Sequence, residues 1–495
     1  MKSLELSGCG LQGTLPKAWG NWVSLEALYL GQYDSTGTFV GPSSLIGTIP
    51  ASFANMRNLR FLDVSENSLT GQLPPEFGSA ELMPIDSVFY LGYQDLRGTI
   101  PLSWSYFSLG LVDVTATRIN VTCIPDGLNV FKGRAFNASG CSGSSPQVNA
   151  VATLRSLDAA ALQLSGELPA TLATFSRLEH LDLSGNKAVK GSLPSIWAAL
   201  VALRTLDISS TGISGSLPAS WASLQKLRAF RAADCSGLSG PLPLEWGMLK
   251  SLEELVVINS QLSGPLPAWT DAEMLRAAST AALATAQQAV DQAVNEDLVV
   301  ASVQQRVRYI SGAVSPQAVV EAASCAASAL QSALAAAPAS TRFMPLRIIN
   351  LSGNNLSGQL VPNWSLFEQL QMLILASNSM SGPLPDAFTR LTTLRALDLS
   401  SNSFAGQLPS TWVSMRQLVF LDVSSNALVG PIPETLPFMA GDGFNLRCLV
   451  LFGNAGLTGR QLTELKSRME TDSRGRVRVV VGSNGRTCDI SVLDQ

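Results

Sequence analysis

One unit recurs along this chain and limits what it can fold into. "LDLSGNKAVKGSLPSIW" (181–197), "LDISSTGISGSLPASW" (206–221) and "LDLSSNSFAGQLPSTW" (397–412) are versions of it, and the opening "LELSGCGLQGTLPKAW" is another. Aligned on the residue that opens each core, units begin at Leu157, Leu181, Leu206, Phe230 and Leu255, then at Ile349, Leu373, Leu397 and Leu421. The undisturbed spacing is 24 or 25 residues. Starts at Leu4, Leu28, Leu62, Phe89, Val112 and Leu449 are less evenly placed. Units of this size bury an apolar face only by stacking on their neighbours, so the array predicts a solenoid rather than three separate domains.

Each position in the unit has a physical task. In "LDLS" the alternation sends Leu181 and Leu183 inward and Asp182 outward, as a short strand requires. The inward asparagine (Asn67, Asn186, Asn354, Asn378, Asn402, Asn426, Asn454) can satisfy backbone groups of its turn and of the adjacent unit. Cys9, Thr117, Leu162, Thr211, Cys235 and Ser260 interrupt that ladder. Gly191, Gly215, Gly382 and Gly406 allow turn geometry closed to other residues, and the following Leu-Pro starts the opposite side of the unit. A tryptophan recurs behind the proline (Trp19, Trp104, Trp197, Trp221, Trp246, Trp412) and reads as core on the convex side, where each ring buries a large apolar area.

The pattern L-x-x-L-x-L-x-x-N-x-L followed by S-G-x-L-P resembles the plant-type class of leucine-rich repeats over nearly the whole chain. With the trailing tryptophan and with Cys, Thr or Ser at the asparagine position, it is similar to kinetoplastid leucine-rich-repeat surface antigens, green-algal leucine-rich-repeat proteins and plant receptor-like protein ectodomains. The fold class expected is an α/β solenoid: a leucine-rich-repeat horseshoe with a parallel β-sheet on its concave face, interrupted by an Ala-rich helical insertion. The boundaries expected are an N-terminal repeat block at 1–269, with loops near 31–44 and 120–153, the insertion at 270–345, a C-terminal repeat block at 346–459 and a cap at 460–495.

Within 270–345 two Ala-rich stretches read as helices, and Ser315-Pro316 is a cap followed by a first turn. Because the repeat resumes in phase at Ile349, the segment reads as a helical hairpin pushed out of the solenoid; a mistranslated intron or a disordered insert is the competing reading. At the C-terminal end "LTGRQLTELKSRME" is helix-like, and "GRVRVVVGSNGRTCDI" can form a hairpin near Asn484-Gly485. The opening carries no polar cap before Leu4 and Leu6, so residue 1 is expected to be a cut through a longer array.

Charge excludes one class of partner. Charged residues are 14% of the chain and the net charge is −4, too little and of the wrong sign for an electrostatic nucleic-acid binder. No run of about 18 apolar residues encodes a membrane-spanning helix, and residues 1–25 lack a signal-peptide pattern. No phosphate-binding loop or nucleophile elbow is present, and the single histidine, His180, completes neither a zinc cluster nor a triad; no enzyme, metal or cofactor is expected. The aspartate column at "LDLS" (Asp63, Asp113, Asp158, Asp182, Asp207, Asp398, Asp422) reads as solvated and hydrogen-bonded across strands rather than as a cation site. Cys123 with Cys141 and Cys448 with Cys488 suit disulfides, while Cys9 and Cys235 read as small core residues. Asn120 and Asn137 are the better glycan acceptors.

These features imply a non-catalytic recognition solenoid, at the cell surface or secreted, that binds a protein or peptide through its concave face. The alternative is an intracellular scaffold, for example at the cytoskeleton. Candidate contact residues on the sheet are Tyr29, Phe61, Asp63, Tyr90, Tyr93, His180, Asp182 and Arg231. Aromatic residues and arginine dominate binding hot spots, and four aromatics fall on three successive repeats. Ile374 and the serines after it are expected to be solvent-facing and generic.

Overall fold

The computed structural model describes residues 1–33, 44–78, 87–101, 109–115, 117–119, 154–270, 344–457, 459–473 and 476–481. Short pieces are described at 36, 38, 40–41, 103–104, 123–124, 128–132 and 139–140. Contacts divide the chain into two compact units. Among the described residues one comprises 1–189 and 196–207, the other 190–195, 208–270 and 344–481.

In the first unit each repeat contributes one strand to a parallel ladder. Ser3–Glu5, Ala27–Tyr29, Phe61–Asp63 and Ser87–Tyr90 pair in turn, followed by Leu109–Asp113, Leu128–Lys132, Ser156–Asp158, His180–Asp182 and Thr205–Asp207. The opening apolar residues lie in one row: Leu4, Leu28, Leu62 and Phe89 are in register, as are Leu157, Leu181 and Leu206. The strand Leu128–Lys132 corrects the expectation of a loop over 120–153. Phe131 sits in register between Val112 and Leu157 although its unit lacks the S-G-x-L-P half. What the sheet requires of a strand is backbone pairing, and this the segment supplies without the motif.

In the second unit the ladder runs Ala229–Arg231, Glu254–Val256, Ile348–Asn350, Met372–Ile374, Ala396–Asp398, Phe420–Asp422, Cys448–Val450 and Arg478–Val480. Leu255 pairs directly with Ile349, so the repeat resumes in phase across the interruption; residues 271–343, where the helical hairpin was expected, lie outside the described residues. A helix, Gly459–Asp472, and the parallel strand Arg478–Val480 follow the last repeat. The expected turn at Asn484-Gly485 is outside the described residues.

The S-G-x-L-P halves form short parallel strands of their own, such as Ser44–Gly47 beside Ser68–Gly71 and Ser379–Pro383 beside Ser403–Gly406. Gly191, Gly215, Gly382 and Gly406 hold φ between 80° and 89°, the left-handed region that a Cβ disfavours. The proline then caps a single 3-10 turn, as Pro218 does for Ala219–Ser223 and Pro409 for Ser410–Ser414. That turn buries its tryptophan. Trp104, Trp197, Trp221, Trp246, Trp269, Trp364 and Trp412 are all fully buried. The indole N–H of each donates to a proline carbonyl of the preceding repeat, as Trp246 Nε1 does to Pro218 O at 2.9 Å. The stripe is therefore core, extended by Trp269 and Trp364. Trp19 is only half-buried and stacks on Trp22 at 4.8 Å.

The asparagine ladder is explicit. Asn186 Nδ2 donates to the carbonyls of Ala159 and Leu183 at 2.8 and 2.7 Å, and its Oδ1 accepts from Leu164 N at 2.9 Å. Asn426 repeats the arrangement with Leu399, Val423 and Phe404. Thr117 and Thr211 keep the donation to the carbonyl three residues back, at 2.8 and 2.7 Å. Cys235 is buried with its thiol 3.1 Å from Ile208 O. Cys9 is exposed rather than core, in a turn flanked by Gly8 and Gly10 at φ of 63° and 65°.

Two further expectations change. The aspartates of the column are half-buried or buried, and Asp63, Asp113, Asp158, Asp182, Asp398 and Asp422 turn the carboxylate onto their own repeat: Asp182 Oδ1 accepts from Ser184 N at 2.9 Å, Asp398 Oδ1 from Ser400 N at 3.0 Å and Asp422 Oδ1 from Ser424 N at 2.8 Å. A short side chain two residues before an N–H reaches it more readily than a neighbouring strand does. Ile374 is not solvent-facing. It packs with Ala396, Phe420, Cys448, Val450 and Val480 in a buried apolar cluster, at strand positions that alternate with the inward leucines.

Candidate functional site

The first unit carries a row of alternating acids and tyrosines. Glu5 is in register with Tyr29, Tyr29 with Asp63, Asp63 with Tyr90, and Tyr90 with Asp113. These positions alternate along each strand with the buried Leu4, Leu28, Leu62, Phe89 and Val112, so the row stands on the open face of the sheet. In several other repeats the same position is the aspartate of "LDLS", as at Asp158, Asp182, Asp207, Asp398 and Asp422; here tyrosine stands on two strands. One residue earlier in the strand, Phe61 places its ring 4.5 Å from Tyr29 and 5.5 Å from Tyr90, centroid to centroid. Tilted aromatic pairs at this separation are mutually attractive beyond the area they bury.

The turns after the strands close the site from one side. Glu66 and Tyr93 have φ of 54° and 57°, the left-handed turn that other repeats make at Ala161, Ser210, Asp234, Asn259, Ser377, Ser401 and Ser425 and at Gly185 and Gly353. The cost of a non-glycine residue held left-handed, of order 1–3 kcal/mol, is therefore carried by many repeats, and what differs here is the size of the Glu66 and Tyr93 side chains. Gly31 has a different reason to be glycine. A Cβ there would stand 2.7 Å from Asp63 Oδ1, so a larger residue would displace the carboxylate. Together Tyr29, Tyr33, Phe61, Asp63, Ser65, Glu66, Tyr90, Gly92, Tyr93 and Asp113 line a cavity of about 410 Å³.

Asp63 sits at its floor, 8% exposed. Its Oδ1 accepts from the Ser65 backbone N–H at 2.9 Å and the Ser65 hydroxyl at 2.6 Å. Burial pushes the Asp63 carboxyl above the usual carboxylate range, the Ser65 hydrogen bonds oppose this, and Asp113 adds repulsion. Glu66 is raised by burial and by Asp63. The Tyr29 phenol is raised by burial first, then by Glu5 and Asp63. No Lys, Arg or His lines the cavity among the described residues. No group of three or more His, Cys, Asp or Glu among them could hold a metal ion.

Five of the eight expected contact residues (Tyr29, Phe61, Asp63, Tyr90, Tyr93) thus come together. The other three stand elsewhere. His180 is exposed on its strand with Nδ1 2.8 Å from the Thr205 hydroxyl. Asp182 caps its own turn through Ser184. Arg231 is held in a two-point ion pair, Nε to Glu254 Oε1 at 2.8 Å and Nη2 to Glu254 Oε2 at 2.6 Å. Tyr33, Glu66 and Asp113 belong to the cavity although they were not singled out as contacts. Glu66 had a readable signal, a large charged residue at the turn position where most repeats carry a small or short polar one. Asn120, Asn137, Cys141 and Cys488 lie outside the described residues, and of Cys123 only the backbone is described. Cys448 is buried in its strand, and its expected partner Cys488 lies outside the described residues.

The fold is that of a leucine-rich-repeat solenoid. Family models described as leucine rich repeat match residues 368–428, and residues 1–22, 58–80, 202–224 and 345–367. Among solved structures the chain is similar to the plant peptide hormone receptor RGFR1 in complex with RGF2 (23% identity, TM-score 0.51), covering 92% of this chain and 61% of that one. It is also similar to the leucine-rich-repeat ectodomain of the Arabidopsis receptor kinase HAESA in complex with an extended IDA peptide hormone (22% identity, TM-score 0.54), covering 97% and 70%. A third likeness is to a TDR receptor (20% identity, TM-score 0.53), covering 91% and 71%. The chain therefore spans less than two thirds of the first of these. No curated protein matches it.

Proposed function

We propose that this chain is a non-catalytic recognition solenoid that binds a protein or peptide partner on the open face of its sheet, at the cavity between Tyr29, Phe61, Tyr90 and Tyr93. The observation that carries the proposal is the cavity itself: four clustered aromatics, one of them (Tyr93) 56% exposed, beside the buried Asp63. Rigid aromatics lose little entropy on binding and bury large area, which is what a hot spot needs. Structures of similar fold are ectodomains in complex with peptide hormones, which agrees with a peptide-sized occupant. A cell-surface or secreted location, glycans on Asn120 and Asn137, and Cys123–Cys141 and Cys448–Cys488 disulfides complete the proposal, since such disulfides persist in an oxidising compartment.

A random-peptide display library selected on the folded chain tests it. Enriched peptides should bind the wild type and lose about tenfold or more in affinity for a Tyr29→Ala, Tyr90→Ala variant that folds normally. Peptides that bind both proteins equally would move recognition away from the cavity.

A further inference from the structure

We infer that the occupant of the aromatic cavity is a cation, the guanidinium or ammonium of a basic peptide. The inference rests on the recognition proposed above and adds its chemistry. The cavity presents three carboxylates, Asp63, Glu66 and Asp113, and no cationic side chain among the described residues. Asp63 is more than nine-tenths buried, and only its Oδ1 is occupied, by the two donors of Ser65; Oδ2 accepts no hydrogen bond from a described residue. That oxygen is open to the cavity, where a ligand donor can reach it, and a charged donor binds a carboxylate most strongly. The walls agree with the floor. Tyr29, Phe61 and Tyr90 offer ring faces, whose negative quadrupole attracts a cation more strongly once water is displaced.

The alternatives fit less well. An anionic ligand would meet carboxylates that already raise one another, Asp113 acting on Asp63 and Asp63 on Glu66. A metal ion would need converging ligands, and these carboxylates do not form such a group. The extent of the row distinguishes a peptide from a small amine. Asp63 and Asp113 are separated by the strand of Tyr90, two strand spacings or about 9.6 Å. One small cation cannot engage both, whereas an extended chain rising about 3.1 Å per residue brings side chains three positions apart over that distance. The geometry thus favours two basic residues at i and i+3 across Tyr90.

The test uses the full chain and blocked synthetic hexapeptide pools, acetylated and amidated, with positions 2 and 5 fixed as arginine and the rest varied. The controls fix both positions as citrulline, the neutral isostere, or supply arginine amide alone. Titration should show the arginine pool binding at least about tenfold more tightly than the citrulline pool, with the difference shrinking as salt rises. Glu66→Gln and Asp113→Asn variants, whose side chains lie nearer the rim than Asp63, should each erase most of that preference. Equal binding of arginine and citrulline pools, or no measurable binding of the arginine pool, overturns the inference. Arginine amide binding as tightly as the pool would overturn the peptide commitment in favour of a small amine. Failure of the cation is distinguishable from failure of recognition. Library-selected peptides that need Tyr29 and Tyr90 but are not basic refute only the cation, whereas selected peptides indifferent to those tyrosines refute both.

Discussion

Asn186 offers a sharp test of what holds the repeats together. Its side chain is fully buried and serves four backbone groups: Ala159 O, Leu183 O and Ser184 O receive its N–H donors, and Leu164 N–H donates to Oδ1. Asn186→Ala strands the Leu164 N–H and at least two carbonyls. At about 1–3 kcal/mol per buried group left unpaired, with carbonyls at the low end, the loss should be about 3–5 kcal/mol. Asn186→Thr should be milder by roughly 1–2 kcal/mol, because a threonine hydroxyl donates to the carbonyl three residues back, as Thr211 does to Ile208 O. Hydrogen exchange at the Leu164 amide reads the local opening free energy directly, and urea denaturation reads the wider effect. A cost below about 1 kcal/mol for alanine, or equal costs for alanine and threonine, would refute the bridging role assigned to the amide.

Three other outcomes follow from particular residues. Burial pushes the Asp422 carboxyl from 3.8 up to about 6, so its contribution to stability is present below the ordinary carboxylate range and is lost as pH rises toward 6. Asp422→Asn should therefore gain on the wild type by about 2 kcal/mol between pH 4 and 7 in parallel thermal melts, and parallel profiles would contradict the shift. Trp246→Phe should cost about 1–2 kcal/mol in urea denaturation through the lost bond to Pro218 O and the smaller ring, and an unchanged midpoint would count against the indole clamp. Peptide mapping without reduction should join Cys448 to Cys488 and leave Cys9 and Cys235 free; another partner for Cys448 would overturn that pairing.

Local chemistry explains which features could be read from the sequence. The inward leucines, Asn186 and the positive-φ Gly191 each serve a requirement met within one unit or between neighbours, so a single period exposes them. The strand Leu128–Lys132 escaped because backbone pairing alone recruits it, with no motif to mark it. Ile374 was misplaced because strand alternation says which face a residue is on and nothing about what packs there. Alternation alone leaves the aspartate column solvated, because the reach of Asp182 to the Ser184 N–H two residues on is a turn property that it does not encode. At the cavity, tyrosines replacing the usual aspartate were visible as departures from the repeat. That Tyr29, Asp63, Tyr90 and Asp113 form one row was not, since their register depends on irregular spacings between Leu28 and Val112.

The measurement that bears most directly on the recognition site compares two paired variants against the same library-selected peptide, by titration at fixed salt. Tyr90→Ala with Tyr93→Ala removes exposed aromatic surface from the cavity while leaving the backbone bonds of Val64 to Tyr90 O and of Tyr93 N to Thr115 O in place. His180→Ala with Arg231→Ala removes the two other prominent side chains once expected to contribute, one hydrogen-bonded to Thr205 and one paired with Glu254. The account predicts a loss of about 2 kcal/mol or more for the tyrosine pair and less than about 0.5 kcal/mol for the other. Undiminished binding by the tyrosine pair, with binding lost in the His180 and Arg231 pair, would contradict it.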